Sequence, residues 1–243
     1  KVSNNTALGT ADAGTTVDAG ATLELANINY STAEALALSG TLSGTGTASI
    51  FAGVTNIAAM SVISSATALT MSAGLTGSAA LEKTGAGVLT LSSANSYSGD
   101  LTVSAGKVDN NSTLGDAADV IVGDNSTAIY EVGATDTIQS LQVGTAGRVV
   151  LTAGLTTGDG GANTIAGVIS GASTLTKAGA GVLTVTSSNT YIGATTVSAG
   201  TLKVSNNTAL GTADAGTTVD AGATLELANI NYSTAEALAL SGT

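Results

Sequence analysis

The sequence lacks cysteine, proline, histidine and tryptophan, and Phe51 is its single phenylalanine. Without histidine or cysteine the chain cannot build the usual zinc, haem or iron–sulfur sites, nor a serine or cysteine nucleophile activated by histidine. Without cysteine it forms no disulfide, so its redox compartment cannot be read from the sequence. No apolar run reaches the roughly 18 residues of a membrane-spanning helix. We therefore expect no cofactor, no metal site and no catalytic residues, and a region that is not transmembrane.

Basic residues are scarce as well. Six lysines and arginines stand against 17 acidic residues, which gives a formal net charge of −11. A nucleic-acid-binding protein needs a basic surface to neutralise phosphates, so we expect no nucleic-acid partner. The charge density is nevertheless too low, and the aliphatic content too high, for a disordered acidic tail.

Small residues dominate what remains. Alanine, threonine, glycine and serine number 43, 40, 32 and 26 and make up 58% of the chain. With five tyrosines and one phenylalanine, such a composition cannot fill a thick globular core at native packing density. It favours a thin core extended in one direction, as in repeat proteins.

The sequence does contain a long repeat, as this composition suggests. Residues 1–41 recur without a single change at 203–243, so the repeating unit is 202 residues long. We interpret residues 1–243 as one continuous solenoid, with half-repeats at 1–106 and 107–202 and the start of the next copy at 203–243. The two ends should then be open coils, and the identical segments should be related by a screw motion along one axis.

A shorter repeat lies inside this unit. LEKTGAGVLTLSSANSYSGDLTVSAG at Leu81–Gly106 matches LTKAGAGVLTVTSSNTYIGATTVSAG at Leu175–Gly200 in 17 of 26 positions, at a spacing of 94 residues. The segments that follow, KVDNNSTLGDA at Lys107 and KVSNNTALGTA at Lys203, also match. The second copy carries two extra residues, Thr201 and Leu202, and we expect such insertions in the loops of a solenoid.

Within the repeats, apolar residues alternate with small polar ones over four to six residues, and Gly, Asn, Asp and Ser bound each run. This alternation indicates short strands separated by turns. Ser31–Leu38 has helical propensity but keeps the strand period at Leu36 and Leu38, so we predict strand there. Arg148–Leu151 fits the alternation only loosely. The glycine pairs Gly85/Gly87 and Gly179/Gly181 fit corners that need positive φ or close backbone approach. The pairs that show the alternation are Leu89 with Leu91, Leu101 with Val103, Leu183 with Val185, and Leu23 with Leu25.

Together these features predict an all-β fold, a parallel β-helix in which each coil stacks its strands on the previous coil. At roughly 20–25 residues per coil, the 202-residue unit should contain about nine coils. At a strand spacing of about 4.8 Å, one unit should advance on the order of 45 Å.

The repeats resemble a known family. Leu175–Val204, LTKAGAGVLTVTSSNTYIGATTVSAGTLKV, is similar to the passenger-associated transport repeat, also called the autotransporter-associated β-strand repeat. Leu81–Val108 is similar again, with Asp100 and Leu101 in place of the usual small pair. The motifs NNTALG at Asn4 and Asn206, and NNSTLG at Asn110, also resemble the family.

The resemblance implies a region of a bacterial cell-surface passenger or adhesin that folds as a right-handed β-helix outside the cell. It implies neither an enzyme nor a particular ligand. Full-length members carry a signal peptide and a C-terminal membrane domain, so we expect this chain to be an interior segment of such a protein.

The five lysines occupy two repeat positions: Lys83 and Lys177 precede the glycine corners, and Lys1, Lys107 and Lys203 precede the NN motifs. One interpretation is that they form charged rows that bind an acidic glycan or a neighbouring fibre. The other, which we favour, is that they are solvated residues at the corners, where they maintain solubility and prevent wrong strand pairing.

Other candidate sites are weaker. Asp159, in GDGGAN, is similar to half of a glycine-rich calcium repeat, but one copy cannot supply six to eight oxygens. Tyr97 and Tyr191, which hold equivalent repeat positions, are predicted to pack at corners rather than to form a sugar-binding platform. Paired carboxylates could in principle cleave polysaccharides, but Arg148 is the single arginine available to hold a sugar.

Four aspartates could gather calcium loosely: Asp109, Asp116, Asp119 and Asp124. Seven asparagines begin glycosylation sequons that we interpret as coincidental: Asn4, Asn29, Asn110, Asn111, Asn125, Asn206 and Asn231.

Three functional hypotheses follow, and the structural one leads. It makes the chain part of a long, stiff extracellular stalk or filament, whose partners are neighbouring copies of the same repeat and surface glycans of host cells or biofilms. The second is a specific glycan- or protein-binding adhesin, and the third a polysaccharide-cleaving β-helix. An ice-binding threonine ladder is disfavoured because the TTV and LTV triplets are unevenly spaced.

Overall fold

The computed structural model describes residues 1–158 and 162–243, which form short β-strands joined by turns and contain no helix. The first fifteen strands are β1 Thr15–Val17, β2 Thr22–Ala26, β3 Asn29–Tyr30, β4 Leu36–Leu38, β5 Thr41–Thr45, β6 Ala48–Phe51, β7 Thr55–Ile57, β8 Ser61–Ser65, β9 Ala68–Met71, β10 Leu75–Gly77, β11 Leu81–Thr84, β12 Val88–Leu91, β13 Asp100–Val103, β14 Lys107–Asn110 and β15 Asp119–Val122. The others are β16 Ile129–Val132, β17 Asp136–Ile138, β18 Ser140–Val143, β19 Arg148–Leu151, β20 Leu155–Thr157, β21 Ala162–Ile165, β22 Val168–Gly171, β23 Leu175–Lys177, β24 Val182–Val185, β25 Thr195–Val197, β26 Thr201–Val204, β27 Thr217–Val219, β28 Thr224–Leu227 and β29 Leu238–Leu240.

These strands stack as a β-solenoid with three faces, and each paired strand runs parallel to its neighbour. The first face is an eleven-stranded sheet in the order β2-β5-β8-β11-β13-β15-β18-β21-β24-β26-β28. The second face is an eight-stranded sheet that runs from β3 to β22. The third face holds a four-stranded sheet, β1-β4-β7-β10, and a six-stranded sheet, β17-β20-β23-β25-β27-β29. The predicted parallel β-helix is therefore confirmed.

Irregular segments join the two sheets of the third face. The backbone N–H of Ser96 donates to Leu75 O at 3.1 Å, and that of Gly115 donates to Tyr97 O at 2.9 Å. The N–H of Leu114 in turn donates to the Asp136 carboxylate at 3.1 Å. The stacking of coils thus continues from β10 to β17 where no strand forms.

The coils are slightly shorter than expected. On the first face, Thr22 in β2 and its repeat copy Thr224 in β28 are ten strands apart. The 202 residues between them make ten coils of about 20 residues, rather than about nine. At about 4.8 Å per coil the unit advances about 48 Å, close to the expected 45 Å.

The core is a narrow column of inward-pointing side chains that come from all three faces. Leu23, Leu25 and the other alternating leucines and valines named above are all buried. Arg148–Leu151 follows the same alternation, with Val149 buried and Val150 facing outward. In the stretch Ser31–Leu38, strand forms only at Leu36–Leu38. Two aromatic rings lie in the core near the first coils, where Tyr30 stacks on Phe51 with ring centroids 5.7 Å apart.

The identical segments 1–41 and 203–243 occupy equivalent places in the stack. Their strands on the first face are ten coils apart, and Val17 and Val219 are both buried. Equal burial does not extend to the last coil, because nothing stacks on it: Leu25 is 0% exposed, whereas its copy Leu227 is 48% exposed. Leu238 and Leu240 are likewise exposed, so this end coil is uncovered, as we expected for an outermost coil.

Among the described residues no helix is long and apolar enough to cross a membrane. The right-handed sense of the winding stays a prediction of the family resemblance.

Candidate functional site

The two copies of the shorter repeat lie on different faces of the solenoid. In the first copy Leu81 lies on the first face and Leu89 on the second. In the second copy the equivalent Leu175 lies on the third face and Leu183 on the first. A spacing of 94 residues is about four and two-thirds coils of 20 residues, so the second copy is turned by one face. The motif therefore occurs at two different positions around the solenoid.

Each copy builds a tight corner from its glycine pair. Gly85 and Gly179 adopt φ of 75° and 70°, in the left-handed region that favours glycine. Gly87 instead lies against the coil below, where a Cβ atom would come within 1.8 Å of Thr67 O. Both requirements expected of a glycine corner are therefore met here, positive φ at Gly85 and close backbone approach at Gly87.

The lysines that precede these corners are buried, so both interpretations of Lys83 and Lys177 as solvent-facing groups were wrong. Their exposed fractions are 0% and 2%. Lys83 Nζ donates to the carbonyl oxygens of Thr84 at 2.8 Å, Gly85 at 2.8 Å and Ala105 at 2.9 Å. Lys177 Nζ donates to the carbonyls of Ala178, Gly179 (2.9 Å) and Ala199 (3.4 Å). In each case the third carbonyl belongs to the next coil.

The charge of Lys83 is set by two opposing effects. Burial lowers the pKa of its amine to about 8, because the ammonium ion loses its hydration. The three carbonyl acceptors act in the opposite direction, since they match the three donors of an ammonium group and leave nothing for the lone pair of a neutral amine. The ammonium form therefore predominates at pH 7.

A buried asparagine ties three successive coils together in the second copy. Asn189 Oδ1 accepts the backbone N–H of Ile169, in the coil below, at 2.8 Å. Asn189 Nδ2 donates to Ala209 O, in the coil above, at 2.7 Å. The equivalent Asn95 makes the same kind of bridge, from Leu75 N to Thr113 O, at 2.8 Å in both directions. The asparagine thus replaces backbone hydrogen bonds where the strand is interrupted.

Replacing Asn189 with alanine should lower the free energy of unfolding by about 2 kcal/mol, because it leaves a buried N–H and a buried carbonyl unpaired. Urea unfolding followed by circular dichroism measures the effect. Thr190→Ala is the control, since Thr190 is adjacent but exposed. Equal stability of the two variants would show that the bridge across coils is not needed.

The tyrosines of the repeat are packing residues, as predicted. Tyr97 and Tyr191 are both 0% exposed. Tyr97 Oη donates to backbone oxygen, with Asp100 O at 2.7 Å and Ala79 O at 2.8 Å, and Tyr191 Oη lies 2.6 Å from Thr195 Oγ1. Burial raises the pKa of both phenols. Neither ring is available for stacking on a sugar.

The other three lysines lie at the surface and pair with glutamates of the next coil. Lys1, Lys107 and Lys203 have Nζ within 3.3, 2.6 and 2.8 Å of a carboxylate oxygen of Glu24, Glu131 and Glu226, respectively. Exposed pairs of this kind contribute about 0–1 kcal/mol each. They align neighbouring coils and leave few basic groups free on an acidic surface.

The predicted acidic cluster does not converge. Asp109 lies in β14 on the second face, Asp119 begins β15 on the first, and Asp124 follows β15 in a turn. Asp116 lies outside the strands, and the described residues contain no group of three or more carboxylates placed to hold a metal ion. Asp159 lies outside the described residues. Arg148 is exposed on the second face.

A buried carboxylate that sequence reasoning missed lies on the third face. Asp136 is 2% exposed, and its oxygens accept from Asn110 Nδ2 at 2.9 Å, Leu114 N at 3.1 Å and Thr137 N at 2.9 Å. Burial raises the pKa of Asp136, while these donors lower it. Asn110 is itself buried, so the sequon at that position is closed to glycosylation. Asp136 lies two residues before the buried Ile138 in β17, so it points to the same side of the strand. This spacing is the feature of the sequence that could have predicted its burial.

The fold and its corners define a parallel β-solenoid whose repeat couples neighbouring coils through buried polar side chains. A family model, the passenger-associated transport repeat, matches residues 81–109 and 175–204, about a quarter of the chain. These are the segments that hold the lysine corners and the buried tyrosines, so the resemblance drawn from the sequence is confirmed at both repeats. No curated protein and no solved structure matches the chain. The family is a structural repeat of autotransporter passengers, which are secreted and exposed at the cell surface.

Proposed function

We propose that this chain is a structural region of a bacterial cell-surface passenger, and that it acts as a stiff extracellular stalk rather than as an enzyme. The observation that carries the proposal is that the long repeat is a whole number of coils in length. Because 202 residues make ten whole coils, a further copy of the unit stacks without any rotation of its faces. Any number of copies in one chain therefore extends the same three sheets.

Three further features support a stalk. Every coil from β2 to β28 adds a strand to the first face, so the core has no internal break. The repeat motif turns by one face between its copies and keeps its buried contacts, which allows a long solenoid to be built from one motif. Surface lysines pair with glutamates of the next coil and hold neighbouring coils in register.

The test is to measure the length of chains that carry one, two or three copies of the 202-residue unit by electron microscopy and small-angle X-ray scattering. Each copy should add about 48 Å at constant width, from ten coils at the strand spacing. Compact particles, or bends at each junction, would contradict a stalk.

The same preparations test the other two hypotheses. A specific adhesin requires saturable binding of one glycan or host protein to the single-unit chain, and the affinity per copy should not depend on the number of copies. A polysaccharide-cleaving β-helix requires the release of oligosaccharides from pectin, dextran or peptidoglycan. We expect no such release. Antibody labelling of intact cells should place the chain outside the cell.

A further inference from the structure

The buried amines of Lys83 and Lys177 lie where successive coils meet at a corner. Lys83 extends inward from β11, and its Nζ is surrounded by two carbonyls of its own coil and by Ala105 O from the next coil. Among the described residues Lys83 makes no ion pair, so its positive charge is met by backbone dipoles alone.

The arrangement is built twice on different faces. Lys83 lies at the corner between the first and second faces, and Lys177 at the corner between the third and first. Both donate to the next two residues of their own coil and to an alanine 22 residues further on. The three carbonyl contacts recur on different faces, so this part of the arrangement belongs to the motif and not to one location in the solenoid.

A cation has a specific use at this corner. The left-handed turn at Gly85 lies where the carbonyl groups of Thr84, Gly85 and Ala105 converge on Lys83 Nζ. Convergent carbonyls repel one another unless a cation or donors lie between them, and buried carbonyls without partners are costly. An ammonium group with three donors satisfies all of them at once.

We propose that Lys83 and Lys177 act as tethered internal cations that lock each corner to the coil that follows, and that the charged ammonium group with its three donors is required for this. The lysine takes the place that a bound metal or ammonium ion would hold in a carbonyl cage. The matched repeats are then the points at which neighbouring coils are joined most tightly. This inference concerns the stability of the fold and does not depend on the stalk function.

Because the natural chain contains no cysteine, the ammonium group can be restored or replaced at nearly constant side-chain shape. In the full-length Lys83→Cys variant the single thiol is alkylated in urea, before refolding, in two ways. Bromoethylamine gives an S-aminoethyl side chain, which restores the ammonium group, and bromopropane gives an S-propyl side chain of the same length without charge. Alkylation of the unfolded chain works whether or not the unmodified variant folds.

Hydrogen exchange measured by mass spectrometry shows how firmly the amides at the corner are held in their hydrogen bonds to the coil below. In the S-propyl form the amides of Ser104, Ala105 and Lys107, which bond to the coil below, should exchange at least tenfold faster than in the S-aminoethyl form. Amides of β18 and β19 should be unchanged in both, because each coil contacts only its neighbours. The same pair of modifications on Lys177→Cys should have the same effect around Ala199.

Lys107→Cys, modified in the same two ways, is the matched control, since Lys107 lies at the surface and pairs with Glu131. Its two alkylated forms should exchange alike in all coils. The proposal is overturned if the S-propyl and S-aminoethyl forms of Lys83→Cys exchange at the same rate. It is also overturned if Lys107→Cys shows as large a difference as Lys83→Cys.

Discussion

Replacing Gly87 with alanine should lower the free energy of unfolding by at least about 3 kcal/mol, the upper part of the range for steric overpacking. The added Cβ atom would lie 1.8 Å from Thr67 O and 2.4 Å from the carbonyl carbon. Both atoms belong to the backbone of the coil below, so no side-chain rotation can relieve the contact. The two coils would have to separate at this corner, next to the Lys83 amine.

The matched control is Gly123→Ala. A Cβ atom there would lie 3.2 Å from Val103 O, and small shifts of the chain can accommodate that distance. We expect a change below about 1 kcal/mol for this control. Urea unfolding measures both variants, and limited proteolysis should locate the new cleavage in Gly87→Ala between β9 and β14. Equal stability of the two variants would contradict the close packing of coils at the corner.

The long repeat offers a second experiment in which one sequence occupies two environments. Leu38 and Leu240 lie in identical segments, but Leu38 is 0% exposed beneath the next coil and Leu240 is 59% exposed. Leu38→Ala should cost about 3 kcal/mol, since it removes buried methyl groups and leaves a cavity. Leu240→Ala should cost less than about 1 kcal/mol.

Each variant is the control for the other, because local sequence and helix or strand propensity are the same. Unfolding in urea gives the total effect, and hydrogen exchange in β4 and β7 shows whether the loss is local to the coils that Leu38 joins. If Leu240→Ala were as destabilising as Leu38→Ala, then burial by the neighbouring coil would not be the source of stability.

Much of this fold could be predicted from the sequence. Alternation of the type seen at Leu89 and Leu91 identified the inward rows, and the near absence of large aromatic residues excluded a thick core. The number of coils was harder, because a coil of 20 residues and one of 22 give the same alternation. The rotation of the motif by one face follows from that coil length, so it could not be seen before the coils were placed.

The buried lysines show where reasoning from residue type failed. Lysine is almost never fully buried unless it is paired, so Lys83 and Lys177 were assigned to solvent. The alternation along the strand predicts that both lysines are buried, because Lys83 is two residues after the inward Leu81, and Lys177 is two residues after Leu175. Had the alternation been applied without regard to charge, both amines would have been placed inside. The carbonyl partners that allow this depend on the corner conformation, which the sequence only suggests through its glycines.

The direction of the hydrogen bonds has a mechanical consequence. Strands stack along the solenoid axis, so the bonds between coils lie parallel to that axis. Tension along the axis that peels the chain from one end of the solenoid therefore breaks the bonds of one coil boundary at a time instead of those of all coils together. Each coil that detaches releases about 20 residues, which span roughly 70 Å when extended. In the stalk proposed above, such a chain would lengthen coil by coil under tension and could rewind when the force falls.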